Sequence, residues 1–312
     1  MSRSASVRVS LSSSAIAIAL GLGLTGCASS APAADPAATA SAASTHTVTH
    51  ARGETDVPDD PQRVVVLEPV QLDTAVALDV VPVGAAVLNE AAGVPAYLGE
   101  AAADIETVGT VAEPSVERIA ALEPDIIIGT ESRHSALYDQ LSDIAPTVFM
   151  ASQADPWQDN VALVAEALGD PDGAVELLDA YQDRCDEIAA EYATEGSTAQ
   201  LIRPRDGVLT LYGPASFAGS TLECAGFSTP ERDWEDISLD ISPENVLDAQ
   251  ADLVLVTTTD VEDETTLPQA IVDNADAFPD LHLVDQSFWI TGVGPLGGMT
   301  VLDDIERILS ER

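Results

Sequence analysis

Apolar residues fall along this chain in two rhythms. Short unbroken aliphatic runs of strand length recur in "RVVVL" (63–67), "DIIIGT" (125–130), "PTVFM" (146–150), "ADLVLV" (251–256) and "LHLVD" (281–285). A strand that is apolar on both faces belongs to a parallel sheet covered by helices. Elsewhere the apolar positions recur every three or four residues, as in "QLDTAVALDV" (71–80), "QDNVALVAEALG" (158–169), "LPQAIVDNADAF" (267–278) and "MTVLDDIERIL" (299–309), which predicts helices. "SALYDQLSDIA" (135–145) and "SFAGSTLECAG" (216–226) read as further helices, the second stopped by Gly226. "PVGAAVL" (82–88) reads as a strand, and "AQLIR" and "VLTLYG" read as a pair of strands around a "PRDG" turn. Such alternation predicts an α/β chain with mainly parallel sheets flanked by helices.

One phrase occurs twice. "SVERIAALEPDIIIGT" (115–130) returns as "SPENVLDAQADLVLVTT" (242–258), so that at an offset of 127 Glu117 falls on Glu244, Ile119 on Val246 and Asp125 on Asp252. Each copy opens with a serine and proline pair that starts helices, places an acid in the first turn where the helix dipole favours it, and feeds an aliphatic strand. Two α/β lobes of related design are therefore expected, residues 46–170 and 196–312. They are joined over 171–195 by a helix whose periodic part, Gly173–Tyr192, would be about 30 Å long.

The first 26 residues stand apart. Arg3 and Arg8 precede an apolar stretch that is far short of the ~20 residues needed to span a bilayer, so the segment reads as a cleaved export signal. It ends in "LTGC", which resembles a bacterial lipobox and implies lipidation of Cys27, a palmitate-type anchor on the extracytoplasmic face of the cell membrane. Residues 27–45 are an Ala/Ser/Pro spacer with too little bulky apolar surface to fold, read as a disordered tether.

Charge removes several functions. The chain carries 12 Lys plus Arg against 53 Asp plus Glu, a net charge of −41, and lysine is absent. Such a surface excludes nucleic acid and anionic lipid as partners, and no Schiff-base or phosphate-loop lysine exists. "GVGPLG" (292–297) matches G-x-G-x-x-G, but only 15 residues follow it, too few for a dinucleotide fold. There is no G-x-S-x-G elbow, no H-E-x-x-H and no cluster of His, Asp and Glu with metal-ligand spacing, so the chain reads as a non-enzyme without an intrinsic cofactor or metal. Cys185 and Cys224 form an even pair that an exported protein could oxidise, though nothing in the sequence sets their distance.

Parallel sheets bind ligands at the carboxyl ends of their strands, and a groove between lobes is the default pocket. This nominates Tyr97, Arg133, Trp157, Arg203, Tyr212, Phe217 and Trp289 as ligand-binding residues. Arg133 and Arg203, at predicted strand ends, could meet ligand oxygens, and the aromatic residues could pack on an apolar ligand shell. Arg205 is expected in the turn, solvated. His134 and Tyr212 keep a haem ligand open as an alternative, although a lone histidine in a polar segment is expected to face solvent.

The lipobox, "PQRVVVLEPVQLDTAVALDVVPVGAA", "VGTVAEPSVERIAALEPDIIIGT", "RPRDGVLTLYGPASFAGSTLECAGFSTP" and "FWITGVGPLGGMTVLDDIERIL", in this order, resemble an iron-siderophore ABC transporter substrate-binding lipoprotein over about residues 46–309. The resemblance implies two rigid lobes and a ferric-siderophore in the groove, with iron held only through its chelator. It favours Trp289 as a groove residue, and haem or cobalamin remain the alternative cargoes. It also implies that exposed Glu117 and Glu244 dock the two halves of a permease dimer. The few arginines favour a neutral or weakly charged hydroxamate or mixed chelate over a highly anionic tris-catecholate.

Overall fold

The computed structural model describes residues 44–312. The export signal, Cys27 and nearly all of the spacer lie outside them. Among the described residues no helix is long and apolar enough to cross a membrane.

The described chain begins with an antiparallel hairpin that the sequence reading does not foresee, β1 (Thr45–His50) and β2 (Gly53–Pro58). Each strand buries one apolar residue, Val48 and Val57, so neither shows an aliphatic run. The Ala51 amide donates to Phe149 O at 2.9 Å, and the Phe149 amide donates to His50 Nδ1 at 3.1 Å, so the hairpin turn lies against the strand that contains Phe149.

The first lobe continues through β3 (Val64–Val66), α1 (Pro69–Ala77), β4 (Gly84–Val87), β5 (Glu106–Thr110), α2 (Val116–Ala121), β6 (Ile126–Thr130), α3 (Glu131–His134), α4 (Tyr138–Ser142) and β7 (Thr147–Met150). Its five strands are all parallel, in the order β5-β4-β3-β6-β7. Then come α5 (Trp157–Leu168) and the long α6 (Pro171–Tyr192), capped by Asp170, whose carboxylate accepts the Gly173 amide at 3.0 Å.

The second lobe contains β8 (Ala199–Arg205), β9 (Val208–Tyr212), α7 (Phe217–Cys224), β10 (Ser238–Ile241), β11 (Leu253–Thr258), α8 (Gln269–Val272), β12 (Leu281–Asp285), α9 (Gln286–Trp289) and α10 (Pro295–Ser310). Its order, β10-β9-β8-β11-β12, matches the first sheet position for position, but the sheet is mixed, because β9 runs antiparallel to β8 and β10. The cause is local. Asp206 and Gly207 both take positive φ, 49° and 83°, the geometry of a two-residue hairpin turn, so β8 returns at once instead of crossing over through a helix. Pro204 and Arg205 thus belong to the strand rather than the turn. Arg205 is not simply solvated, since its Nε donates to Thr210 Oγ1 at 2.8 Å.

The repeated phrase occupies matching places. β6 and β11 both flank the central strand of their sheet, and the preceding acids act alike. Asp125 accepts the Gln62 and Arg63 amides at 2.7 and 2.9 Å, just before β3; Asp252 accepts the Thr198 amide at 2.8 Å, just before β8. Each carboxylate satisfies the orphan donors where the central strand starts, which fixes the register of the two middle strands. The first copy forms the α-helix α2. The second forms a 3-10 segment, Pro243–Ala249, kinked at Asn245, a residue whose side chain competes for the backbone.

One of four hydrophobic clusters is common to both lobes. It runs from Val70, Met150, Trp157 and Val161 through Tyr181 and Ile188 of α6 to Leu201, Leu253, Leu255 and Ile305. Helix α10 packs on both α6 and α1, so the chain's last helix belongs to neither lobe alone. Its start also explains the glycine motif. Pro295 opens the helix, and the carboxylate of Asp73 in α1 accepts the Leu296 and Gly297 amides, both at 2.8 Å. A Cβ at Gly294 would lie 2.4 Å from Asp73 Oδ1, and one at Gly297 would lie 1.6 Å from Gly292 O. The motif does receive an anion at a helix N-terminus, and the anion is the protein's own. Cys185 of α6 and Cys224 of α7 are joined by a disulfide, with Cα atoms 5.3 Å apart.

Candidate ligand-binding site

Where strand order reverses in an open α/β sheet, the connections on either side leave a crevice at the strands' carboxyl ends. In the first sheet that point lies between β3 and β6, and in the second between β8 and β11. Glu68 and Pro69 follow β3, Arg133 follows β6, Arg203 lies near the end of β8 and Thr259 follows β11. All of them line one groove. It consists of two adjoining cavities of about 560 and 210 Å³ that share Pro69, Leu88, Arg203 and Ile290.

The larger cavity adds Asn89 and the segment around Tyr97 from the first lobe, and Asp285, Gln286 and Ser287 from the second. The smaller adds Glu68, Arg133, Gln153, Asp155 and Trp157, facing Tyr212, Phe217 and Trp289. All seven residues nominated from the sequence therefore line the groove, in different ways. Arg203 is half-buried at the end of its strand and has no carboxylate within ion-pair distance among the described residues. Arg133 Nε meets Glu68 Oε1 at 2.9 Å, while the arginine side chain stays 38 % exposed. Tyr97 donates its hydroxyl to Asp73 at 2.9 Å, so it offers the groove a ring rather than a donor. Trp157 packs edge-on against both Tyr181 and Phe217, with centroids 5.0 and 5.6 Å apart. Trp289 is 1 % exposed and donates to Asp304 at 2.8 Å, so it forms the floor rather than a contact surface. Tyr212 and Phe217 are half-buried.

His134 does not face solvent. It is 1 % exposed, Nδ1 accepts the Thr130 amide at 3.1 Å, and Nε2 lies 2.8 Å from Val111 O. The first bond requires a bare Nδ1, so Nε2 carries the proton and the ring is neutral. Burial holds its pKa below the ordinary imidazole value. With both nitrogens engaged, the ring closes the turn after β6 and is not available to an iron.

Two buried acids, Glu68 and Asp73, escape the sequence reading. Glu68 is 2 % exposed, and burial raises its carboxyl to about 7 against the opposing pull of Arg133 and Thr130. Asp73 is fully buried and is likewise raised to about 7 by burial, against the pull of the Gly297 and Leu296 amides and the Tyr97 hydroxyl. A third depression, of about 760 Å³, is larger but touches only the second lobe. Five acids and one arginine, Arg307, are among its lining residues, a poor setting for any anionic ligand.

A sequence model of the family described as "Periplasmic binding protein" matches residues 64–280. A Bacillus subtilis protein described as a probable siderophore-binding lipoprotein, YfiY, is 34% identical over 289 residues, 85% of this chain and 88% of its own. The achromobactin-binding periplasmic protein of Dickeya dadantii is 28% identical over 80% of this chain and 86% of its own. The crystal structure of Staphylococcus aureus SirA complexed with staphyloferrin B aligns with a TM-score of 0.69 at 26% identity, covering 85% of this chain and 99% of that one. This chain belongs to the periplasmic binding protein family, whose members bind a substrate for transport and do no chemistry on it.

Proposed function

We propose that this chain captures a ferric siderophore outside the membrane and delivers it to an ABC importer. The observation that carries the reading is the groove itself: both sheets present their switch points to the same pair of adjoining cavities, where Arg203 makes no ion pair among the described residues and the Arg133 side chain stays partly exposed. Guanidinium donors suit the oxygen atoms of a chelate, and the aromatic wall of Tyr97, Tyr212 and Phe217 suits its organic shell. No group of three or more His, Cys, Asp or Glu able to hold a metal occurs among the described residues. In this reading iron arrives as cargo, with the siderophore filling its coordination sphere.

Delivery rests on Glu117 and Glu244. Each follows the edge strand of its sheet, β5 or β10, each is exposed, and neither makes an ion pair among the described residues. Two equivalent acids on equivalent lobes, 46–170 and 196–312 about the 171–195 helix, suit a permease with two equivalent halves. Lipidated Cys27 and the spacer would hold the receptor at the extracytoplasmic face of the membrane.

Quenching of tryptophan fluorescence by a panel of ferric siderophores, with haemin and cobalamin alongside, tests the reading. Saturable quenching by a ferric siderophore, weakened at least tenfold by Arg203→Ala, is expected. Tight binding of haemin or cobalamin with no response to any ferric siderophore would overturn it.

A further inference from the structure

Glu68 places a carboxylate where a receptor for anionic chelates gains nothing from it. It follows β3 at the first sheet's switch point, lines the smaller cavity, is 2 % exposed, and holds Arg133 through Nε at 2.9 Å. That geometry leaves the two terminal nitrogens of Arg133 without a hydrogen-bond partner among the described residues. The other charged groups on this wall are Asp155, which accepts the Ser152 amide at 3.0 Å, and Arg203. Gln71 of α1 and Thr130 of β6 are neutral neighbours, His134 of α3 is neutral as described, and Asp285 lies in the adjoining cavity.

We propose that Glu68 sets the charge of the groove and that capture of an anionic ferric chelate is coupled to uptake of one solvent proton by its carboxylate. The inference rests on the ferric-chelate reading above. With Glu68 ionised, two arginines face three acids in the groove; with Glu68 protonated, they face two. An anionic chelate on the free nitrogens of Arg133 brings negative charge close to Glu68 and favours its neutral form. By reciprocity, the neutral form binds that chelate more tightly. Arg133 Nε lies 2.9 Å from Glu68 Oε1 without donating a hydrogen bond to it, so protonation of the acid breaks no hydrogen bond that holds the guanidinium. Burial has already lifted this carboxyl to about 7, which brings the exchange into the neutral range. An uncharged chelate has no such coupling, so Glu68 discriminates between chelates by charge as pH changes.

The test compares native protein with Glu68→Gln, a neutral isostere, using ferric dicitrate as the anionic probe and ferrichrome as the uncharged one. Dissociation constants from tryptophan quenching between pH 5.5 and 8.5 are expressed as the native-to-variant ratio at each pH, which cancels changes in the chelate itself. For ferric dicitrate the ratio should rise about tenfold toward high pH, the scale of one charge interaction at a few ångströms in a partly screened site; for ferrichrome it should stay flat. Calorimetry of the two proteins in buffers of different ionisation enthalpy should show the native protein taking up protons that the variant does not, for ferric dicitrate only. A flat ratio for the anionic probe, or equal proton uptake by both proteins, would overturn the role of Glu68 while leaving ferric-chelate binding intact. Failure of native protein to bind any ferric chelate would instead remove the reading on which the inference stands, and the inference with it.

Discussion

Asp73 Oδ2 accepts the Gly297 amide at 2.8 Å across 224 residues of sequence. The carboxylate of α1 therefore serves as the N-terminal cap of α10, with the Leu296 amide and the Tyr97 hydroxyl as its further donors. Asp73→Ala would leave three buried donors without an acceptor and is expected to cost about 3–5 kcal/mol in chemical denaturation. Tyr97→Phe, which removes one donor and leaves the carboxylate its two amides, should cost about 1 kcal/mol. Gly294→Ala should be severe as well, since its φ of 142° excludes a side chain and the Cβ would strike Asp73.

Glu68 makes its own contribution to the pH dependence of stability, beside that of Asp73. The folded pKa of Glu68, about 7, lies above the ordinary value of 4.5. The folded state therefore binds the proton more tightly than the unfolded chain, and stability from this group is lost as pH rises from about 4.5 to about 7. Relative to Glu68→Gln, native protein should lose on the order of 2–3 kcal/mol over that interval and nothing further above it. Unfolding midpoints of both proteins at intervals of half a pH unit would show this.

The disulfide closes a loop between residues 39 apart. It ties α6, which runs between the lobes, to α7 beneath the groove. Replacing Cys185 and Cys224 together by alanine should lower stability by about 2–4 kcal/mol with little change in ligand affinity, because neither sulfur lines the groove. Thermal unfolding and quenching titrations on the same variant separate the two effects.

Glu117 and Glu244 make the opposite prediction. Replacing both with glutamine should leave stability within about 0.5 kcal/mol, as expected for exposed residues, and leave chelate affinity unchanged. Iron-chelate uptake by cells should nevertheless fall at least tenfold. Unchanged uptake would remove both residues from the transporter interface.

Much of this architecture is legible in the sequence because burial on both faces writes an aliphatic run, as in Val64–Val66, Ile126–Ile128 and Leu253–Val256. The hairpin β1–β2 is not legible, since it buries only Val48 and Val57. The reversal of β9 was written in Asp206 and Gly207, a pair that favours the tight hairpin turn, but "PRDG" shifts the apparent turn two residues early. The arginines of the groove could be placed from their position after aliphatic runs. Glu68 and Asp73 could not, because an acid just before or within a helix ordinarily faces water, and the partners these two meet are 65 and 224 residues away, Arg133 and Gly297. His134 failed for the same reason: its acceptor is the carbonyl of Val111 in another loop.

The most direct measurement of the central claim is anomalous diffraction at the iron absorption edge from crystals of the protein with the ferric siderophore that quenches it best. The iron should lie between the carboxyl ends of the two sheets, within reach of a chelate that touches Arg203 and the free nitrogens of Arg133. An iron peak in the acidic depression beside Arg307, or coordinated directly by protein side chains, would contradict the account.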